Sequence, residues 1–248
     1  MIFLARNDMS DQESIVKLGY SPFEAEAYVS IGGEPPATQW LMETLKKIGL
    51  NGKEVLDYGC GFGRLVPFFC ENGVKKVVGY DPSASIIEAA RERQRQAENR
   101  ESSTSVELKV LESESHLPNE IDASFDLAVM SFVLHYVPDT RQSFKEIARV
   151  LKPGGYIVAT FCIFEFAPGY QHLQNTPIPL RLSDELIVNV FAKSGESVAH
   201  DAEEAGLVIE WFSSQPDATP SLISPTYPFK EHARLKTVSL RAMKLPTS

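Results

Sequence analysis

The feature that most constrains the fold is a short apolar strand that runs directly into three closely spaced glycines and then into a helix. Residues 54–65 read Glu-Val-Leu-Asp-Tyr-Gly-Cys-Gly-Phe-Gly-Arg-Leu. Because glycine has no Cβ, Gly59, Gly61 and Gly63 permit a tight turn and let a ligand lie directly on the backbone. Such a unit occurs at the carboxyl edge of a parallel sheet, so the segment predicts an α/β fold with a ligand site there.

Further apolar runs follow, with helix-patterned segments between most of them, which is the alternation of βαβ units. Runs that are apolar on both faces, such as residues 127–129, are typical of a parallel sheet covered by helices on each side. The predicted strands are Val55–Tyr58, Lys76–Tyr80, Val106–Leu111, Phe125–Met130 and Tyr156–Phe161, with Leu207–Phe212 and Lys236–Ala242 as candidates to complete the sheet.

Boundary residues such as Pro-Ser before a helix and Asn-Gly or Pro-Gly-Gly after it locate the helices. The predicted helices are Glu24–Ile31, Gln39–Ile48, one after Arg64, Ile86–Ala97, Arg141–Leu151 and a stretch from Ser183 towards Ala205. At 248 residues we expect one domain. Its predicted parts are a helical lid or flank (1–50), a core (51–162), a substrate-side section (163–205) that begins with the irregular insertion Ile163–Arg181, and the final strands (206–248).

Composition and charge disfavour several classes of protein. A hydrophobic fraction of 43% and a charged fraction of 23% are typical of a globule with a sizeable core. The net charge of −9 disfavours nucleic acid as a partner, because nucleic-acid affinity depends on Lys and Arg. Three scattered cysteines match no disulfide framework or zinc site, no histidine spacing suggests a metal, and no segment has the length of a membrane span. We therefore expect a cytoplasmic protein without a metal.

Two acidic residues define the chemistry of the expected ligand. Asp57 precedes Gly59 by two residues, so its carboxylate can attract an ammonium group directly or through water. Asp81 ends the second predicted strand, where a carboxylate can accept hydrogen bonds from the ribose hydroxyls of an adenosine ligand. Arg64 replaces the third glycine of a dinucleotide fingerprint, which weakens an NAD interpretation. Together these residues predict a nucleoside that bears a positive charge.

Four blocks in order resemble the class I S-adenosylmethionine-dependent methyltransferase family, in particular its small-molecule branch. The blocks are Val55–Gly63, Val77–Ser83, Phe125–Ser131 and Ala148–Tyr156. The resemblance implies a Rossmann-like, seven-stranded, mostly parallel sheet with helices on both faces and its last strand antiparallel. It also implies S-adenosyl-L-methionine as cofactor and S-adenosyl-L-homocysteine as its product, with the three glycines at the methionine portion and Asp81 at the ribose.

The residues predicted to contact the cofactor lie in the glycine turn and after the second, third and fourth strands. They are Asp57, Gly59, Cys60, Gly61, Gly63, Arg64, Asp81, Pro82, Ser83, Ser113, Glu114, Ser131 and Phe132. The family usually has an aspartate near the adenine after the third strand. Alignment on Leu117-Pro118 puts Ser113 at that position, and either Ser113 or Glu114 can meet the adenine amino group.

Methyl transfer is an in-line displacement at a sulfonium, so the protein must align the reacting atoms and exclude water. His135 follows the fourth strand, where the family builds the floor of its active site, and it is the candidate general base. The alternative is that its ring only packs or hydrogen-bonds within the loop. Whether a base is needed depends on the substrate nucleophile.

Aromatic side chains are the candidates for substrate contacts, and those of the insertion suit a small planar or aromatic metabolite. The candidates are Tyr20, Tyr28, Tyr136, Phe164, Phe166, Tyr170 and His172. Burial of the insertion against the core is the other interpretation. Tyr20, Tyr28 and Trp40 can also close over the sulfonium by cation–π attraction, with core packing as the alternative.

The leading hypothesis is methyl transfer to an O, N or C atom of a small metabolite. Residues 131–134 lack the Asn/Asp-Pro-Pro-aromatic signature of methyltransferases that act on exocyclic base amines, which again disfavours nucleic acid. Two hypotheses from other classes stay open. One is a protein that binds S-adenosylmethionine or S-adenosylhomocysteine without catalysis, and the other is an NAD-dependent oxidoreductase, which Arg64 disfavours.

Overall fold

The computed structural model describes residues 36–97, 103–112, 117–181, 187–215 and 233–246 of the chain. Within these residues a seven-stranded sheet forms the centre of the fold, and a two-stranded sheet lies outside it in the topology. The strands are β1 (Glu54–Tyr58), β2 (Lys76–Asp81), β3 (Ser105–Val110), β4 (Phe125–Ser131), β5 (Leu151–Phe166), β6 (Pro177–Arg181), β7 (Ile187–Phe191), β8 (Leu207–Gln215) and β9 (Ala233–Lys244).

Helices connect most of these strands. The α-helices are α1 (Pro36–Ile48), α2 (Val66–Glu71), α3 (Ala84–Ala97), α4 (Thr140–Val150) and α5 (Gly195–Glu204), with short 3₁₀ turns at Leu134–Tyr136 and Gln171–Leu173. Among the described residues, no helix has both the length and the apolar character needed to cross a membrane.

The strand order of the large sheet is β3-β2-β1-β4-β5-β9-β8. The first five strands of this order are parallel, while β9 pairs antiparallel with both β5 and β8. This arrangement confirms the predicted sheet, in which the last strand of the chain is the antiparallel one. Between β1 and β4 the order of connection reverses, and at such a point the loops diverge and leave a crevice at the carboxyl edge.

Alternating residues of the strands supply two apolar layers, one on each face of the sheet. Val55 and Leu127 pack with residues of α1 and α2, including Leu41 and Phe69. Their neighbours Leu56 and Ala128 pack on the other face with residues of α4 and α5, such as Phe144 and Val198. Burial on both faces is the reason that these strands are apolar along their whole length.

Two predicted boundaries after the fifth strand are wrong. Ile163–Phe166 continue β5 along its antiparallel pairing with β9, so the irregular insertion begins only after Phe166. Residues 187–191, which we expected to be helical, form β7 and pair with β6. The sequence Ile-Val-Asn-Val-Phe is rich in β-branched and aromatic residues, which favour an extended backbone once a partner strand is available. The helix α5 begins at Gly195, after the Ser194 side chain caps it.

Candidate functional site

The glycine turn after β1 adopts the backbone that its sequence predicts. Gly59, Gly61 and Gly63 have φ values of 74°, 54° and 75°, a left-handed region that side chains with a Cβ rarely occupy. The N–H groups of Gly59 and Cys60 donate to the carbonyl oxygen of Tyr80 over 2.7 and 2.9 Å. The turn is therefore fixed to the carboxyl end of the neighbouring strand β2.

Close packing adds a second reason for glycine at two positions near this turn. A Cβ on Gly59 would lie 2.3 Å from Cγ2 of Val133, which belongs to the segment after β4. A Cβ on Gly79, in β2, would lie 2.9 Å from Sγ of Cys60. The Cys60 side chain is thus buried against β2 and β3, where it packs with Leu108. Only the backbone of Cys60 remains for the cofactor contact that was predicted for this residue.

Asp81 links the two loops on either side of it. Its Oδ2 accepts from the N–H of Gly61 over 3.1 Å, and its Oδ1 accepts from the N–H of Ser83 over 2.9 Å. Burial raises the pKa of Asp81 to about 6, against these two hydrogen bonds, which lower it. The Ser83 hydroxyl accepts from the N–H of Ile86 over 3.3 Å at the start of α3, so this side chain stabilises a helix end. Pro82 lies between them and is half-buried.

Asp57 is the least satisfied polar side chain of the site. It is 1% exposed, and neither carboxylate oxygen has a hydrogen-bond partner among the described residues. Burial raises the pKa of Asp57 to about 7, the charge of Arg64 opposes this shift, and that of Asp81 adds to it. Because a buried carboxylate without donors is unfavourable, this position requires a donor from a ligand or from water.

Arg64 joins three parts of the chain around this carboxylate. Its Nη1 donates to Oγ1 of Thr38 in α1 over 3.2 Å, and its Nη2 donates to Oγ of Ser131 at the end of β4 over 2.9 Å. The helix that precedes β1 is thereby attached to the glycine turn and to the fourth strand. The sequence predicted Arg64 and Ser131 as site residues, but it carried no signal for Thr38.

The chain leaves β4 through a constrained backbone. Phe132 has a φ of 59°, which is unusual for a residue with a Cβ, and its N–H donates to the carbonyl of Thr160 over 2.6 Å. Such strain is frequently found at functional sites. The 3₁₀ turn that follows places His135 in the interior, 4% exposed, with its ring 4.2 Å from that of Tyr136. The candidate base His135 and the substrate candidate Tyr136 are therefore side by side.

The protonation of His135 differs from that of a typical general base. Its Nδ1 accepts from the N–H of Cys162 in β5 over 3.3 Å, so the proton of the neutral ring is on Nε2. Burial lowers the pKa of His135 to about 3. The imidazole is thus neutral near pH 7 and presents an N–H donor, while its basic nitrogen is occupied by the backbone.

The aromatic substrate candidates form two stacked pairs. The ring centroids of Phe164 and Phe166 lie 6.1 Å apart at the end of β5, and the Phe164 residue is 2% exposed. Tyr170 and His172 lie 6.3 Å apart, and the exposed His172 contacts the Gly169 carbonyl through Nδ1. The low exposure of Phe164, which lies in β5, agrees better with packing of this strand than with a direct substrate contact.

Trp40 takes part in core packing rather than in an open lid surface. Its ring stacks on Trp211 of β8, with centroids 4.7 Å apart and planes at 16°. Four further candidates, Tyr20, Tyr28, Ser113 and Glu114, lie outside the described residues. Their assignment remains a prediction.

Sequence reasoning missed the residues that support the site from a distance. Val133 closes the glycine turn, and Cys162 orients His135. Thr160, the partner of Ser131 across the β4–β5 pair, is fully buried, and its Oγ1 has no partner among the described residues. These residues sit in ordinary strand or loop patterns, so only their tertiary neighbours reveal them.

A sheet of this order, with a glycine turn and two carboxylates at its switch point, defines a nucleoside-binding α/β protein. Residues 56–159 match a family model described as a methyltransferase domain. Residues 56–159 therefore lie in a methyltransferase domain, which agrees with the resemblance of the four sequence blocks to the class I S-adenosylmethionine-dependent family.

Relatives and solved structures agree with this family. The chain is 32% identical over 123 residues to the ubiquinone biosynthesis O-methyltransferase of Pseudomonas fluorescens, covering 50% of this chain and 49% of that protein. It is 33% identical over 144 residues to the methyltransferase GfsG of Streptomyces halstedii, covering 51% and 50%. The chain thus matches only about half the length of each of these relatives. The structure of the [4+2]-cyclase SpnF superposes with a TM-score of 0.64 at 17% identity, covering 85% and 80%, and shows the fold alone.

S-adenosylmethionine is the cofactor of this domain family, and the side chains present fit it. The Asp57 carboxylate, without a donor among the described residues, suits its ammonium group. The Asp81 carboxylate, which keeps a free lone pair on each oxygen, suits its ribose hydroxyls. The glycine turn has no side chains to cover its backbone at three positions, which suits the methionine portion. A diphosphate at the glycine turn would be poorly matched by the buried carboxylate of Asp57.

Proposed function

We propose that the protein transfers the methyl group of S-adenosylmethionine to an oxygen, nitrogen or carbon nucleophile of a small metabolite. The observation that carries this proposal is the buried carboxylate of Asp57, which has no donor among the described residues and lies beside the glycine turn. A nucleoside with a nearby ammonium group supplies the missing donor. No other ligand class considered for this chain matches both Asp57 and Asp81.

The order of the strands supports one orientation of this cofactor across the sheet. Asp57 on β1 attracts its ammonium group, and Asp81 on β2 accepts hydrogen bonds from its ribose hydroxyls. Because β3 lies on the far side of β2, the adenine extends towards the end of β3. Ser113 and Glu114 follow that strand and are the proposed adenine contacts. The sulfonium then points towards the end of β4.

His135 is proposed to orient the methyl-accepting substrate rather than to remove a proton from it. Its Nδ1 is held by the Cys162 N–H, so the ring offers its Nε2–H to an acceptor atom of the substrate. Bound S-adenosylmethionine supplies an electrophilic methyl group on a sulfonium. The protein contributes alignment and exclusion of water, which together supply several kcal/mol. Because the basic nitrogen of His135 is engaged by the backbone, the site favours a nucleophile that reacts without a strong base.

The proposed substrate, which accepts the methyl group, is a small aromatic or planar molecule. Tyr136 beside His135 is half-buried and offers an aromatic surface at the end of β4. Phe166, also half-buried, offers another at the end of β5. Two of the similar proteins carry the names of methyltransferases, one of them an O-methyltransferase of ubiquinone biosynthesis, which supports a small acceptor here as well.

Calorimetry with S-adenosylhomocysteine and assays with methyl-labelled S-adenosylmethionine test the proposal. We expect saturable binding of the nucleoside, and transfer of label to at least one member of a panel of phenols, amines and activated carbon acids. Binding without transfer to any panel member would instead support the non-catalytic binding protein. Absence of binding, together with binding of NAD, would overturn the proposal in favour of the oxidoreductase.

A further inference from the structure

Arg149 in α4 binds the chain that connects β3 to β4 at several points. Its Nη2 donates to the carbonyl of Leu117 over 3.1 Å, and its Nη1 donates to the carbonyl of Glu120 over 3.0 Å. It also pairs with the carboxylates of Asp122 and Glu146. A planar guanidinium can make all these bonds at once because its donors are arranged in a fixed fork.

Glu146, one turn earlier in α4, completes the contact with Leu117. Its Oε1 accepts from the N–H of Leu117 over 3.0 Å, so the two charged side chains hold both backbone groups of that residue. Glu146 is 7% exposed and Leu117 is fully buried. A partly buried ion pair of this kind contributes little net stability, but its hydrogen bonds to the backbone impose a geometry. Its effect is to place Leu117 at one position.

Glu120 attaches the same connection to the sheet. Its Oε1 accepts from the hydroxyl of Tyr80 in β2 over 2.7 Å and from Nζ of Lys109 in β3 over 2.8 Å. The backbone of Glu120 is bound by Arg149 at the same time. The start of the connection is also fixed, because the N–H of Leu111 donates to the carbonyl of Asp81 over 2.9 Å.

These contacts lie next to the adenine end of the cofactor for a geometric reason. With the ammonium group at Asp57 on β1 and the ribose at Asp81 on β2, the sheet order leaves the base at the end of β3. Leu111, directly after β3, and Leu117 pack in the same core cluster beside that position. A shift of Leu117 would therefore alter the space that receives the base.

We propose that Arg149 and Glu146 are positioning residues for the adenosine portion of the cofactor. They touch neither the cofactor nor the acceptor. They hold Leu117 and Glu120 in place, so that the space at the end of β3 keeps the shape that receives the base, which strengthens cofactor binding. This inference rests on the proposed function, because it takes S-adenosylmethionine to lie across β1, β2 and β3.

The test compares Arg149→Met with Arg141→Met. Arg141 lies on the same helix but pairs with Asp201 of α5, so its replacement controls for loss of an arginine from α4. For Arg149→Met we expect the Kd of S-adenosylhomocysteine and the KM of S-adenosylmethionine to rise by about five- to thirtyfold. We expect kcat at saturating cofactor and the KM of the acceptor to stay within about twofold, since only the cofactor site is disturbed. Arg141→Met should match the wild type.

Removal of Arg149 alone takes away the ion pair of the buried Glu146, so folding is checked by thermal melting and by a second variant. Glu146→Gln/Arg149→Met removes both charges while the new amide oxygen still accepts from the Leu117 N–H. We expect this variant to fold and to retain the weaker cofactor affinity. Wild-type affinity in either folded variant would overturn the inference, and so would an equal fall in kcat and in affinity for both substrates. Failure of the wild type to bind S-adenosylhomocysteine would instead refute the proposed function itself.

Discussion

The N–H of Gly61 donates to Oδ2 of Asp81 over 3.1 Å, so the carboxylate that ends β2 also holds the glycine turn after β1. The other oxygen of Asp81 binds the N–H of Ser83 over 2.9 Å. Each oxygen keeps a further lone pair that can accept a hydrogen bond from a ligand. The side chain that holds the turn is therefore also the one proposed to bind the ribose.

Replacement of Asp81 by Asn is expected to weaken S-adenosylhomocysteine binding by about tenfold or more, because hydrogen bonds to a charged acceptor contribute about 1.5–3 kcal/mol. An Asn side chain has one acceptor oxygen, so one of the two loops also loses its bond. Calorimetry measures the effect. Asp126→Asn is the matched control, because Asp126 lies at the opposite end of the strands, where it accepts from the Glu54 N–H and pairs with Lys152. Equal affinity of Asp81→Asn and Asp126→Asn would contradict the assignment.

Asp57→Asn should separate stability from function. The pKa of Asp57 is raised from 3.8 to about 7, so its ionised form destabilises the free protein at pH 8. We expect the Asn variant to melt higher than the wild type at pH 8, by about 2–4 °C for each kcal/mol gained. It should at the same time lose most of its affinity for S-adenosylhomocysteine. A variant that is less stable and still binds would contradict the role of this carboxylate.

Cofactor binding should depend on pH through the same residue. In the free protein a raised pKa means that stability from Asp57 is present at low pH and lost as the pH rises through about 7. The ligand ammonium favours the ionised carboxylate, so binding near pH 6–7 should release protons, and affinity should increase with pH. Calorimetry in two buffers of different ionisation enthalpy measures the release. Wild-type proton release in Asp57→Asn would assign it to another group, such as Asp81.

His135 offers a pair of variants that separate its two nitrogens. His135→Gln keeps an amide N–H near the Nε2 position, while His135→Asn can replace only the acceptor for the Cys162 N–H. If His135 orients the acceptor, Gln should retain more of kcat than Asn. The wild-type kcat should show no ionisation of a histidine near pH 6–7, because the pKa of His135 is lowered to about 3. A rate that depends on such an ionisation, and that disappears in both variants, would restore the general-base role.

Gly59→Ala should destabilise the fold more than an alanine substitution at another glycine with a similar positive φ. Gly154 has a φ of 79°, and a Cβ there meets nothing within 4 Å, so Gly154→Ala measures the backbone strain alone. At Gly59, with a φ of 74°, the added Cβ also collides with Val133. We expect the loss of unfolding free energy in denaturant titrations to exceed that of Gly154→Ala by about 1–3 kcal/mol. Similar losses of unfolding free energy in the two variants would show that the Val133 side chain can move aside at little cost.

The stacked Trp40 and Trp211 are the two tryptophans of the chain, which makes the docking of α1 directly observable. A double-mutant cycle with Trp40→Phe and Trp211→Phe should give a coupling of about 0.5–1.5 kcal/mol, as for other aromatic pairs. The near-ultraviolet circular dichroism signal of the coupled rings should disappear in either single variant. Additive effects would mean that the two rings do not depend on each other in solution.

Most strands were predictable from the sequence because a strand covered on both faces must be apolar along its length. Gly59 and Asp81 were predictable for a related reason, since a left-handed turn and a strand-end carboxylate leave local signatures. Local sequence was a poor guide at residues 187–191, which were expected to be helical. Their extended backbone depends on hydrogen bonds to β6, a partner that a local pattern does not specify.

The sequence by itself determined the parallel core, the glycine turn and the position of the two acidic residues near the ends of β1 and β2, because each depends on neighbours within a few positions. Only the tertiary structure decided that β9 inserts between β5 and β8, that the Cys162 amide occupies the basic nitrogen of His135, and that Arg149 holds Leu117. The two hydrogen bonds join residues that are 27 and 32 positions apart in the chain. The insertion of β9 brings together three whole strands. The formation of these three relationships depends on how the layers pack, and packing brings together groups whose local sequences are independent of each other.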